Sequence, residues 1–129
     1  ADRDLATTVL GAIGQEIEVP EAKIDALMGV SGCGPAFVFE FTGALRDAGV
    51  AAGLTSDEAE KLAIETILGS ARLMARSELS PEALRDQVTS PNGTTYAGLQ
   101  VLKAHNFRNT MIEVVAAAKA RSAELARGD

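Results

Sequence analysis

The sequence predicts an all-α domain, and three observations carry that reading. The apolar residues of this 129-residue chain are mostly Ala, Leu, Ile and Val, with 4% aromatic residues and no Trp. Small aliphatic side chains of this kind suit closely packed helices better than a sheet sandwich. From residue 21 onward, apolar positions recur at helical spacing, and each such segment is bounded by a cap, a proline or a glycine. The length is enough for one compact domain and too short for two comfortable ones.

The first twenty residues stand apart. Residues 2–13 predict a short helix, with Asp2 or Asp4 near its start, Leu5, Val9, Leu10 and Ile13 on one face, and Gly14 as its stop. Gln15, Glu16, Ile17, Glu18 and Val19 alternate polar and apolar, which predicts a short strand. A lone strand cannot satisfy its own backbone groups, so this one needs a sheet from elsewhere. The expected division is therefore 1–20, left over from another domain, and 21–129, a helical domain, with Pro20 at the boundary. A first residue of Ala1, not Met, adds the expectation of a fragment or a processed product.

The helical part follows in order. Glu21 to Leu27 reads as a short helix, and Ser31-Gly32-Cys33-Gly34-Pro35 as a glycine-rich turn with proline at a first helical position. The next helix, Ala36 to Val50, is apolar almost all round, as a helix covered on most sides should be; Gly49 and Gly53 loosen and end it. Thr55-Ser56-Asp57-Glu58 has capping-box spacing and opens a helix from about Ser56 to Arg76. Ser80-Pro81-Glu82 is an N-cap, a proline and a first-turn acid. After the loop Ser90–Thr95, a helix from Thr95 to Ala104 ends at Asn106, a left-handed cap, and a last helix runs from Phe107 to Ala126.

Composition excludes several functions. The formal charge is -6, from 18 acidic and 12 basic residues, and no basic run long enough to grip nucleic acid is present. One cysteine and one histidine, His105, rule out a disulfide framework and argue against a metal centre. No apolar stretch approaches the roughly 18 residues of a membrane span, and no secretory segment is evident, so a cytoplasmic protein with no membrane partner is expected. The mean hydropathy of +0.09 is high for a small monomer and implies a buried partner surface.

Two loops could carry chemistry. In Ser90-Pro91-Asn92-Gly93-Thr94-Thr95, proline stops the preceding helix, Asn92-Gly93 tolerates positive φ, and Thr94 or Thr95 is expected to cap the following helix with its hydroxyl. Backbone N–H groups and up to three hydroxyls would then converge at a helix N-terminus, forming a carboxylate or phosphate receptor without a lysine. Taken locally, the same loop also serves as an ordinary helix connector, and that reading is the commoner one. Ser31–Pro35 lets a backbone or a flat ring approach closely, or merely permits helix crossing; it is not a dinucleotide fingerprint. Cys33 reads as a small buried thiol, His105 as structural, Glu78 as solvent-facing and Tyr96 as a packed aromatic.

Taken together, Ser31–Phe37, Asp47–Val50 with Gly53-Leu54, Leu84–Thr95, Gly98-Leu99 and Phe107-Arg108 resemble the C-terminal domain of the pyrroline-5-carboxylate reductase family. The resemblance implies an interlocked helical dimerisation fold of the 6-phosphogluconate dehydrogenase C-terminal type, with residues 1–19 matching the last helix and strand of an N-terminal Rossmann domain. It implies reduction of the C=N bond of 1-pyrroline-5-carboxylate to L-proline with NADPH or NADH, the dinucleotide being held mainly by that other domain. The partner implied is a second copy of the chain, and dimers of this kind can assemble further. By the same resemblance Ser90, Asn92, Gly93, Thr94 and Thr95 bind the substrate, Thr95 lies near the ring nitrogen as the catalytic residue, and Ser31, Gly32 and Cys33 lie near the nicotinamide; no metal is implied. Glu78 matches an acidic position more loosely. Met28 stands where the family usually has Thr, Cys33 where it has Ser, Asn92 where it has Gly, and Phe37 where it has Tyr. A non-catalytic helical dimer, or a reductase of another cyclic imine, is the competing reading.

Overall fold

The computed structural model describes residues 2–128; Ala1 and Asp129, the outer ends of the two expected units, lie outside the described residues. Seven α-helices account for most of it: α1 (Asp2–Gly11), α2 (Ile24–Leu27), α3 (Gly34–Ala51), α4 (Ser56–Arg76), α5 (Pro81–Gln87), α6 (Thr94–Ala104) and α7 (Phe107–Arg127). A 3-10 turn at Glu21–Lys23 leads into α2, and a π-helical turn at Met28–Gly32 links α2 to α3. Residues 15–19 form no strand, and none occurs among the described residues. A strand needs a neighbouring ladder for its backbone groups, and none is available here. The alternating pattern alone does not create one.

Helix starts follow local chemistry closely. The Thr55 hydroxyl accepts from the Glu58 N–H at 3.3 Å while the Glu58 carboxylate accepts from the Thr55 N–H at 2.9 Å, which is the expected capping box. The Ser80 hydroxyl accepts from the Ala83 N–H at 3.2 Å, with Pro81 in the first turn of α5. The ends are equally legible. Helix α3 closes with Leu54 N–H donating to the Gly49 carbonyl and Gly53 N–H to the Val50 carbonyl, with Gly53 at φ 103. That is the Schellman pattern, which a residue with a Cβ would strain. Asn106, at φ 51, ends α6 as expected.

The helices make two packed groups. Helices α3 and α4 pack along each other, closely enough that a Cβ on Gly49 would lie 3.0 Å from the Ala59 Cβ. Helix α7 packs against α2, the π-helical turn and α6. The rings of Phe41 and Phe107, 6.4 Å apart, join the groups, and Arg108 pairs with Glu82 at 2.6 Å to hold α5 to α7. In α1 nothing is buried, and Leu5, Val9 and Leu10 are all exposed.

What this arrangement lacks is a core. Ala59 and Ala63 are the buried hydrophobic residues, whereas Phe39, Val38 and Phe41 of α3 and Leu62 and Leu73 of α4 are exposed. The chain exposes 10260 Å², where a compact monomer of 13.4 kDa exposes about 6,500 Å². The difference, about 3,800 Å² per chain, includes the uncovered α1 and still far exceeds the roughly 800 Å² per partner of a standard interface. A single copy is an unfinished fold.

One expectation needs correction. The continuous helical run Glu21–Ala51 is, by length and composition, apolar enough to cross a membrane. The glycine-rich turn reads as a break in sequence, whereas the π-helical turn carries the chain through it with helical geometry. The run bears Glu21, Lys23, Asp25, Glu40, Arg46 and Asp47, charges that are costly in hydrocarbon, and it packs along α4 and α7.

Candidate functional site

The turn between α5 and α6 is built by its own residues. Gly93 N–H donates to the Ser90 carbonyl at 3.1 Å, closing a β-turn with Pro91 second and Asn92 third, and Asn92 sits at φ 58. Proline followed by a left-handed residue is the type II pattern, and asparagine tolerates that conformation. Gly93 does not use positive φ: it lies at φ -78 and ψ 179. Space around it is tight: a Cβ there would displace the Ser90 hydroxyl and come within 3.2 Å of the Ser90 carbonyl.

The expected threonine cap does not form. Gly93 is the N-cap of α6 and provides no side-chain hydrogen bond; Thr94 and Thr95 are already inside the helix. The tight Ser90–Gly93 turn places the cap one residue earlier than the hydroxyls suggested. Its consequence favours a receptor. The Ala97 N–H bonds to the Gly93 carbonyl as the first rung, so the N–H groups of Thr94, Thr95 and Tyr96 lack intrahelical acceptors. The hydroxyls of Ser90, Thr94 and Thr95 make no hydrogen bond among the described residues, and Ser90, Thr94 and Thr95 are exposed. N–H groups at the positive end of a helix, beside hydroxyls, are the kind of donors that can hold a carboxylate or a phosphate.

The second candidate segment is more closed. The Ser31 hydroxyl donates to the Leu27 carbonyl at 3.0 Å, and Cys33 N–H donates to the Met28 carbonyl at 2.9 Å, the i to i-5 bond of the π turn. Gly32 lies beneath the Met28 thioether, which a Cβ at Gly32 would strike. Cys33 is half-buried. Neither α5 nor α6 packs substantially on this segment within one chain, so the two candidate loops do not form one site in a single copy. The large apolar groove between α3 and α4, lined by Val38, Phe39, Ile64, Ile67 and Leu68, contains none of their residues.

The surroundings carry few perturbed charges. A hydrogen bond from Arg108, with its positive charge, holds the Glu82 carboxyl below its ordinary value. The Thr55 backbone and then its hydroxyl do the same for Glu58. Glu78 is exposed, Tyr96 is 41% exposed on α6, and His105 caps the end of α6. Among the described residues no cluster of His, Cys, Asp or Glu could hold a metal ion.

Residues 21–125 match the family described as pyrroline-5-carboxylate reductase dimerisation. The chain belongs to that family. It is 48% identical over 122 residues to the pyrroline-5-carboxylate reductase of Synechocystis sp., covering 95% of this chain and 46% of the relative. It is 42% identical over 126 residues to that of Arabidopsis thaliana, covering 98% and 46%. Among solved structures, the pyrroline-5-carboxylate reductase of Coxiella burnetii superposes with a TM-score of 0.92 at 38% identity, covering 96% of this chain and 46% of that one. The Plasmodium falciparum pyrroline carboxylate reductase with NADP bound gives 0.85 at 34% identity, covering 94% and 48%. This dimerisation domain thus spans about half the length of the relatives it matches.

Membership explains the missing core. A dimerisation domain leaves for its partner the apolar surface that a monomer would keep inside. The dinucleotide is a separate matter. Ser31 is committed to Leu27 and Met28 covers Gly32, so this segment can offer a wall to a flat ring but no cradle for phosphates.

Proposed function

We propose that this chain is the dimerisation and substrate-binding half of a pyrroline-5-carboxylate reductase, which converts 1-pyrroline-5-carboxylate to L-proline with NADPH or NADH. The observation that supports this reading is the start of α6, where three N–H groups lack intrahelical acceptors beside the exposed hydroxyls of Ser90, Thr94 and Thr95. The substrate is a cyclic imine bearing one carboxylate, the charge such a site takes.

In this reading the turn Ser90–Thr95 fixes the carboxylate, and with it the orientation of the ring. Gly93 allows close backbone approach, Asn92 holds the reversal, and the Thr94 and Thr95 N–H groups and hydroxyls supply the donors. Fixing the ring is the larger part of what a protein contributes to such a reduction. The reduced nicotinamide, when bound, supplies the hydride. The ring nitrogen gains a proton from the Thr95 hydroxyl or from a water that it holds, and bulk water replenishes that proton. Ser31, Gly32 and Cys33, with the Met28 thioether, form the wall on the nicotinamide side. The site is completed by a second copy of the chain, and the protein works in the cytoplasm.

The test is NADPH oxidation by the full-length protein with 1-pyrroline-5-carboxylate, wild type against Thr95→Val. Loss of one proton donor should lower kcat by about 100-fold with the dimer intact. A folded, dimeric full-length protein without turnover would overturn the reading in favour of a structural dimer.

A further inference from the structure

The turn that carries Ser31, Gly32 and Cys33 is held from behind by α7. Gly29, within the π-helical turn, is buried, and a Cβ there would lie 3.2 Å from the Val115 carbonyl oxygen and 3.3 Å from Val115 Cγ1. Helix α7 therefore rests on bare backbone at this point. At Asp25, four residues before Gly29, the Ser122 hydroxyl donates to Oδ1 at 2.8 Å, a part-buried bond between α7 and α2 across 97 positions of sequence. Val115 and Ser122 are seven residues apart and share one face of α7. Together they grip α2 and the π turn at two points.

A π turn is a rare interruption of an α-helix, found mostly as a single turn and often at functional sites. Here the direction of the turn sets where Ser31, Gly32 and Cys33 stand. We infer that Ser122 is a positioning residue for the nicotinamide-side wall, acting through Asp25 and α2 without touching substrate or cofactor. The inference rests on the role proposed above for the Ser31–Cys33 turn. It differs from a packing role in what it moves. Loosening the bond shifts the wall against the nicotinamide and leaves the carboxylate receptor at α6 where it is.

The experiment uses the full-length protein with Ser122→Ala, Ser122→Thr and Ser122→Cys. NADPH affinity is read from its emission, and KM values are measured for NADPH and for 1-pyrroline-5-carboxylate. The S122A variant should weaken NADPH binding about tenfold while the imine KM stays within about twofold. Restoring a hydroxyl in S122T should bring NADPH affinity back to within about twofold of wild type. Should S122A fail to fold, S122C, with the same shape and a weaker donor, carries the same test. Unchanged NADPH affinity, or an equal rise in both KM values, overturns the inference. Absence of turnover in the wild type would count against the proposed reaction, and NADPH emission would still decide the role of Ser122.

Discussion

Replacing Phe39 by glutamate separates a chain that stands alone from one completed by a partner. Phe39 lies on α3 at the mouth of the apolar groove and is 73% exposed in a single copy. In a monomer the substitution would remove an awkward surface group and leave stability almost unchanged. In a dimer the remaining area of this side chain, about 150 Å², is what the partner covers. At about 25 cal/mol per Å² that area is worth about 3–4 kcal/mol per copy. Twofold symmetry counts it twice, about 7 kcal/mol, or roughly five powers of ten in the dissociation constant. The cost of burying a carboxylate adds to this. Sedimentation velocity at micromolar concentration, with circular dichroism alongside, reads the outcome: F39E should be a monomer of reduced helicity or should aggregate. A variant that remains a dimer with unchanged melting would refute the reasoning, as would a wild-type chain that is a stable, folded monomer.

Three further outcomes follow from local geometry. Asn92→Gly should preserve the turn and activity, since φ 58 suits glycine, whereas Asn92→Val should cost about 1–2 kcal/mol and raise the substrate KM. Steady-state kinetics with thermal melting compares the two. Thr55→Ala removes the α4 cap and should destabilise the fold by about 1 kcal/mol, measured by urea denaturation. Glu58 has its folded pKa held below the ordinary 4.5, chiefly by the Thr55 backbone N–H. Its contribution is therefore full above about that pH and is lost as pH falls through the folded value. The melting-temperature gap between wild type and Glu58→Ala should accordingly be constant near neutrality and narrow on acidification below pH 4.5; a gap that widens in acid would contradict the assignment.

Helix boundaries were largely legible because caps act over three or four residues. Thr55 with Glu58, Ser80 with Pro81, and Asn106 announce the ends of α4, α5, α6 and α7 in the chain itself. The Ser90–Thr95 turn was legible for the same reason. The owner of the α6 cap was not: the turn closed by Gly93 N–H on the Ser90 carbonyl puts Gly93 in that place, an arrangement that residue preferences do not register. Nor was the π turn, against which α7, more than eighty residues away, packs at Gly29. The strand expected at 15–19 failed because alternation marks a segment that can enter a sheet without supplying one.

By itself the sequence determines the helical class of this protein and most of its helix ends, since these rest on interactions between near neighbours. The tertiary structure decides which apolar faces find cover within the chain and which do not. Helices α3 and α4 satisfy each other only at Ala59, Ala63 and their surroundings, and Phe39 remains outside. Periodicity marks a face as apolar, but whether that face meets its own chain or a second copy depends on three-dimensional packing.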